Sequence, residues 1–150
     1  MRLILAVSAD GYLARGSDDQ MEWTGSEDKL AFRQLTSVGG VCAAGSTTHA
    51  LMPRLPGREL IRLSRKPQEG SMGLGRLAYL HPDAWLLGGP TVALEAFQLS
   101  MVDEAFFCLN PTELGGGIAE DLRWRMSSRF WRSRAVATVG GVRVERWWRG

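Results

Sequence analysis

Ala84-Trp85-Leu86-Leu87-Gly88-Gly89-Pro90-Thr91 is the stretch on which the fold turns. An apolar run of this kind fits a strand buried on both faces, and the paired glycines end it. Pro90 then suits the first turn of a helix, where its missing N–H is not needed, and the helix reads on to Leu99. The same order appears earlier: Val41 to Ala44 is a short strand, and Gly45-Ser46-Thr47-Thr48 leads into a short helix that Pro53 closes. Strand, glycine corner and helix, used twice, predict a parallel sheet built from βα units.

Working outward, Arg2 to Ser8 reads as a first, central strand, followed by a loop from Asp10-Gly11 to Trp23. Ser26, Glu27 and Asp28 open a helix, a hydroxyl and two acids suiting its orphan N–H groups and positive end. Leu30, Ala31 and Leu35 supply its apolar side, and Gly39-Gly40 stops it. Leu55-Pro56-Gly57-Arg58 is a turn and Leu60 to Leu63 a third strand. Lys66 to Gly75, rich in glycine, is expected to be a mobile surface loop, with Leu77 to Leu80 a candidate strand. Ala105 to Leu109 is a further strand, and Arg134–Val139 with Val142–Trp148 forms a hairpin around Gly140-Gly141. The expectation is an α/β fold: one domain over 1–150, a mostly parallel central sheet, an antiparallel C-terminal hairpin, and helices on both faces.

Composition narrows the function. With 150 residues, 45% of them hydrophobic, and a net charge of +2, the chain is neither a disordered tail nor a disulfide miniprotein. No apolar run approaches the ~20 residues of a membrane span, and the first residues read as a strand rather than a secretion signal, so a cytoplasmic protein is expected. Cys42 and Cys108 read as reduced core thiols, and His49 and His81 have no ligand spacing, so no metal site is expected. Walker and zinc-deaminase motifs are absent. From Asp121 to Gly150, eight arginines stand against Asp121 and Glu145, with tryptophans interleaved. The alternation of Val142 and Val144 with Arg143 and Glu145 makes these charges the wet side of a strand, which disfavours a nucleic-acid face.

Two glycine corners on one parallel sheet lie at the same carboxyl edge, where open α/β sheets bind ligands, and their helices attract phosphate oxygens. Asp28 is the most suggestive ionisable residue, beside a glycine-containing loop and near Trp23 and Phe32. It reads equally as a helix-dipole acid or as a carboxyl that binds a planar nitrogenous ring and assists proton delivery. Asp19, Glu22 and Glu27 compete with it.

Met21-Glu22-Trp23, with Asp28, Phe32 and Thr36 following at fixed spacing, and then Leu55-Pro56-Gly57-Arg58, Ser64-Arg65-Lys66 and Gly88-Gly89, resembles the dihydrofolate reductase superfamily between about Leu3 and Asn110. Glu22 stands where that family has proline, Gly45-Ser46-Thr47-Thr48 lacks its arginine, and Ala93 replaces a tyrosine. Ser8-Ala9-Asp10-Gly11, Thr24 to Asp28, Val102-Asp103-Glu104 and Pro111 to Gly117 are similar instead to the sister branch of riboflavin-pathway reductase domains, the RibD C-terminal type.

The resemblance implies NADPH as cofactor and reduction of 7,8-dihydrofolate by hydride transfer, with Asp28 as the catalytic acid. Leu5, Ala6, Met21, Trp23, Asp28, Phe32, Met52, Leu55, Arg58 and Cys108 would then bind substrate, Arg58 taking the glutamate tail and Cys108 standing where a threonine normally braces the acid. Ala6, Leu13, Gly45, Ser46, Thr47, Thr48, Leu63, Ser64, Arg65, Leu87, Gly88, Gly89, Pro90, Thr91 and Val92 would hold the cofactor, with Arg65 taking the 2′-phosphate. The sister branch implies the same cofactor with a phosphoribosyl-aminopyrimidine as substrate. A catalytically silent nucleotide-binding relative and a basic-surfaced binding protein are the alternatives from other classes. The chain is expected to be a monomer or homodimer, without membrane partners.

Overall fold

The computed structural model describes residues 1–16, 19–38, 40–53, 55–66, 70–118, 126 and 130–149. Its strands are β1 (Arg2–Val7), β2 (Val41–Gly45), β3 (Glu59–Leu63), β4 (Ser71–Met72), β5 (Trp85–Leu86), β6 (Glu104–Leu109), β7 (Trp131–Val139) and β8 (Val142–Arg149). The helices are α1 (Ser26–Leu35), α2 (Ser46–Leu51), α3 (Leu74–Leu80) and α4 (Pro90–Gln98). Among the described residues the strands form one sheet in the order β4-β3-β2-β5-β1-β6-β8-β7. The pairings from β4 to β6 are parallel, and β8 and β7 add an antiparallel edge. The expected α/β fold is the observed one.

The alternation of side chains along each strand divides the core in two. Leu3, Leu5, Val7, Ala43, Leu86, Ala105 and Phe107 pack with Leu77 of α3 and Ala93 and Ala96 of α4 on one face. Ile4, Cys42, Ala44, Trp85, Phe106, Cys108, Val142 and Val144 pack with Ala31 of α1 on the other. Helices therefore cover both faces, and the carboxyl ends of β1, β2, β3, β5 and β6 meet along one edge.

One expectation fails. Leu77 to Leu80 is not a strand but the end of α3, and residues 71–75, expected in a loop, supply β4 and the start of that helix. Leu77 is fully buried with Leu74 and Ala78 packed beside it, whereas Tyr79 is 86% exposed. That is the helical period of three and four, which the short run Leu77-Ala78-Tyr79-Leu80 conceals when read alone. Of the C-terminal arginines weighed above, Arg123, Arg125 and Arg129 lie outside the described residues, as do Ser17, Asp18 and Gly39.

Candidate active site

The two glycine corners meet. Gly45 N–H donates to Gly88 O at 2.9 Å, and Leu87 N–H donates to Ala43 O at 2.8 Å. Gly88 has φ +101°, open to glycine alone at low cost, and the Gly88–Gly89 peptide is cis. A Cβ on Gly45 would lie 3.0 Å from Val92 Cγ2, and one on Gly89 would lie 3.1 Å from Thr48 Oγ1. A side chain at either corner would crowd its neighbour, which would have to give way by a few tenths of an ångström. The N-cap of α4, Gly89, makes no side-chain cap, so the first-turn N–H groups keep their donors for a ligand.

These corners border a cavity of about 1130 Å³ that runs along the carboxyl edge of the sheet. From β6 to β3 is four strand spacings, roughly 19 Å. At the α1 end the lining includes Leu5, Ala6, Met21, Asp28, Phe32, Met52, Leu55 and Cys108. At the β3 end it includes Leu63, Ser64, Arg65 and Lys66, and between them lie Leu13, Gly45, Ser46, Thr47, Thr48, Leu87, Gly89, Pro90, Thr91 and Val92. Hydroxyls, free backbone N–H groups and two cations are the donor set that phosphate oxygens require. With the glycine cradle, the β3 end and its corners fit an extended dinucleotide.

Three of the expected residues do not line this cavity. Gly88 packs instead against Leu5, whose Cδ2 is 3.3 Å from where its Cβ would be. Trp23 is buried, its Nε1 donating to Asp19 Oδ2 at 2.9 Å. Arg58 turns under α1: its Nε donates to Thr36 O at 2.9 Å and its Nη2 to Arg33 O at 2.7 Å, capping carbonyls at the helix's C-terminus.

Asp28 is the ionisable group at the centre of the α1 end. It is 7% exposed, and Asn110 Nδ2 donates to its Oδ1 at 2.7 Å. Burial pushes its carboxyl above the usual range, opposed in part by the Asn110 hydrogen bond and the Lys29 charge. A buried carboxyl that keeps its proton to higher pH is suited to proton delivery. The brace is Asn110, not Cys108. Asn110 follows β6, and its amide also donates to Cys108 O at 3.1 Å, which fixes its direction. Cys108 is a neutral thiol, pushed up to about 12 by burial and by the Asp28 charge, so it serves as apolar lining rather than as a nucleophile. The competitors of Asp28 are otherwise engaged: Glu22 pairs with Arg15 in the open, and Glu27 accepts from Ser26.

Asp19 ties the loop that closes this end. Its Oδ2 accepts from Arg15 N–H at 2.6 Å and from Trp23, and its Oδ1 accepts from Met21 N–H at 2.8 Å. Burial opposes its charge, yet these three donors hold the carboxyl below its ordinary value. The knot keeps Met21 at φ +61°, facing the cavity. Asp10 does the same for a second loop. It accepts from Ser8 Oγ at 2.7 Å, Leu114 N–H at 3.0 Å and Gly115 N–H at 2.7 Å, and the serine bond above all holds it at about 2.

Residues the sequence reading passed over are Asn110, and also Lys29, Arg33 and Glu95, each of these three lining the cavity. Lys29 and Arg33 were legible as an i, i+4 pair one turn apart on α1, beginning beside Asp28. Asn110 was marked only by being polar at the end of an apolar strand.

The sequence matches no protein-family model and no curated protein. Its structure is similar to the crystal structure of a protein from Shewanella sp. PV-4 provisionally assigned as a riboflavin biosynthesis protein, with a TM-score of 0.69. The match covers 99% of this chain and 98% of that one, at 16% sequence identity. The fold is shared. It is the dihydrofolate reductase-like α/β fold, here with an antiparallel edge beside the parallel core. No helix among the described residues is long and apolar enough to cross a membrane.

Proposed function

We propose that this chain is an NADPH-type reductase acting on a phosphoribosyl-aminopyrimidine, rather than on dihydrofolate. The observation that carries the choice is Arg58. A folate substrate needs a cation for its glutamate tail, and the arginine expected to supply it is held by the Arg33 and Thr36 carbonyls at the C-terminal end of α1 and does not line the cavity. Two other cations do line the α1 end: Lys29, whose Nζ donates to Thr24 O at 2.6 Å, and Arg33, which suits a substrate phosphate. The motifs similar to the riboflavin-pathway branch also interlock, since Asp10 of Ser8-Ala9-Asp10-Gly11 fastens Leu114 and Gly115 of the Pro111–Gly117 loop. The provisional riboflavin assignment of the Shewanella protein agrees with this reading.

In this reading Ser46, Thr47, Thr48, Thr91 and the α4 N–H groups would hold the dinucleotide's phosphates, and Ser64 and Arg65 would hold its adenosine end. The reduced nicotinamide supplies hydride when bound. At the α1 end that hydride would go to C1′ of the ribose as the C1′–O4′ bond breaks and O4′ takes up a proton. Asp28 in its protonated form supplies the proton, with Asn110 fixing its direction. Phe32, Met52 and Leu55 hold the flat pyrimidine, and Met21 with the Asp19 knot keeps water out.

The test is a paired assay. The chain is incubated with NADPH and either the ribosylamino-pyrimidine phosphate or dihydrofolate, and products are separated by chromatography. A ribityl product with no tetrahydrofolate supports the proposal; tetrahydrofolate alone refutes it.

A further inference from the structure

We infer that Glu95 is a specificity-determining residue that opposes a 2′-phosphate on the adenosine ribose, so that NADH is accepted beside NADPH. This rests on the reductase reading above and adds to it the choice of coenzyme. Three acids line the cavity among the described residues: Asp19, Asp28 and Glu95. The first two belong to the α1 end. Glu95 faces the other end, from the second turn of α4, across from Arg65.

The arrangement at this corner is specific. Ser64 N–H donates to Met72 O at 2.9 Å, and Ser64 Oγ both accepts from Lys66 N–H at 3.2 Å and donates to Lys66 O at 3.1 Å. That turn presents Arg65 to the cavity mouth. Arg65 Nε lies 3.6 Å from Glu95 Oε2, with the arginine side chain 74% exposed. A pair so long and so wet does little to hold the fold together. It does put a carboxylate beside the guanidinium that a 2′-phosphate would otherwise have to itself. Carboxylates at this position of a dinucleotide accept a hydrogen bond from a ribose 2′-hydroxyl, whereas arginines accommodate the phosphate. Here both stand together. Arg65 and Lys66 attract the phosphate and Glu95 repels it, so the two coenzymes are brought toward equal affinity.

Removing one charge within ion-pair reach of a phosphate dianion alters affinity about ten-fold or more, even with water-like screening. The measurement is the Kd of NADPH and of NADH, by quenching of tryptophan fluorescence, for the wild-type chain, Glu95→Gln and Arg65→Gln. Circular dichroism checks that the variants fold. The wild type is expected to bind both within about ten-fold of each other. Glu95→Gln should shift the ratio about ten-fold toward NADPH, and Arg65→Gln should shift it toward NADH. If both coenzymes bind but the ratio is unmoved in Glu95→Gln, the inference about Glu95 is wrong and the reductase reading stands. A wild type that binds neither coenzyme overturns both.

Discussion

Replacing Asp28 by Asn tests the chemistry and the cost of the site together. The amide is nearly the same shape, and its oxygen can still accept from Asn110 Nδ2, which lies 2.7 Å from Oδ1 of the native carboxyl. What is lost is the proton. General acid catalysis by a placed side chain is worth about 10²–10⁴-fold, so turnover should fall by that much. Coenzyme affinity should hold, because the nucleotide end lies several strand spacings away. Stability should move in the opposite direction. Burial raises the folded carboxyl above its unfolded value, so the folded state binds this proton more tightly. The resulting stabilisation is complete below the unfolded value of 3.8 and is lost as pH rises through the folded one. Above that window the wild type carries an ionised, nearly buried carboxylate that the variant lacks. The Asp28→Asn substitution should therefore stabilise the chain at pH above that window by on the order of 1–3 kcal/mol. That is about 2–4 °C in the thermal midpoint for each kcal/mol, and the gain should shrink in acid. Scanning calorimetry at both pH values and a turnover assay decide the matter. Unchanged turnover, or a variant that gains no stability over wild type as pH rises through that window, would refute the role given to Asp28.

Asn110→Ala removes the side-chain donor to the Asp28 carboxyl, so the alkaline limb of the pH–rate profile, where the Asp28 proton is lost, should move to higher pH, while Asn110→Gln or Asn110→Ser should restore part of the shift. Asp10→Ala frees the Leu114 and Gly115 N–H groups, and should raise hydrogen exchange at 111–117 without abolishing coenzyme binding. Leu77→Ala, at a fully buried position, should cost about 2–5 kcal/mol in denaturant unfolding; a cost near zero would mean that α3 does not pack as described. Cys108, neutral to about 12, should resist alkylation in the native chain and react once it is unfolded.

How much of this was written in the sequence differs by element. The parallel core was legible because Ala84–Leu87 and Val41–Ala44 are continuous apolar runs that end in glycine corners before a helix, a pattern that suits doubly buried strands of βα units. The cavity followed, since parallel strands put their glycine corners at one edge. α3 was hidden: Leu74, Leu77 and Ala78 make too short a stripe to show a period, and Gly70, Gly73 and Gly75 mask it. Arg58 was misplaced for a different reason. Its motif gives the residue's position in the chain but not where the guanidinium points, and carbonyls left bare at the end of α1 took it. The Asn110–Asp28 bond joins residues 82 apart, and no local pattern encodes such a meeting.

The most direct measurement is isotope transfer. NADPH carrying deuterium at the hydride position is turned over with the ribosylamino-pyrimidine phosphate, and the product is read by mass spectrometry and NMR. If both ligands share the one cavity, the product carries deuterium at C1′ of the ribityl chain. Product formed with ordinary hydrogen at that carbon, or no product while the coenzyme remains bound, contradicts it.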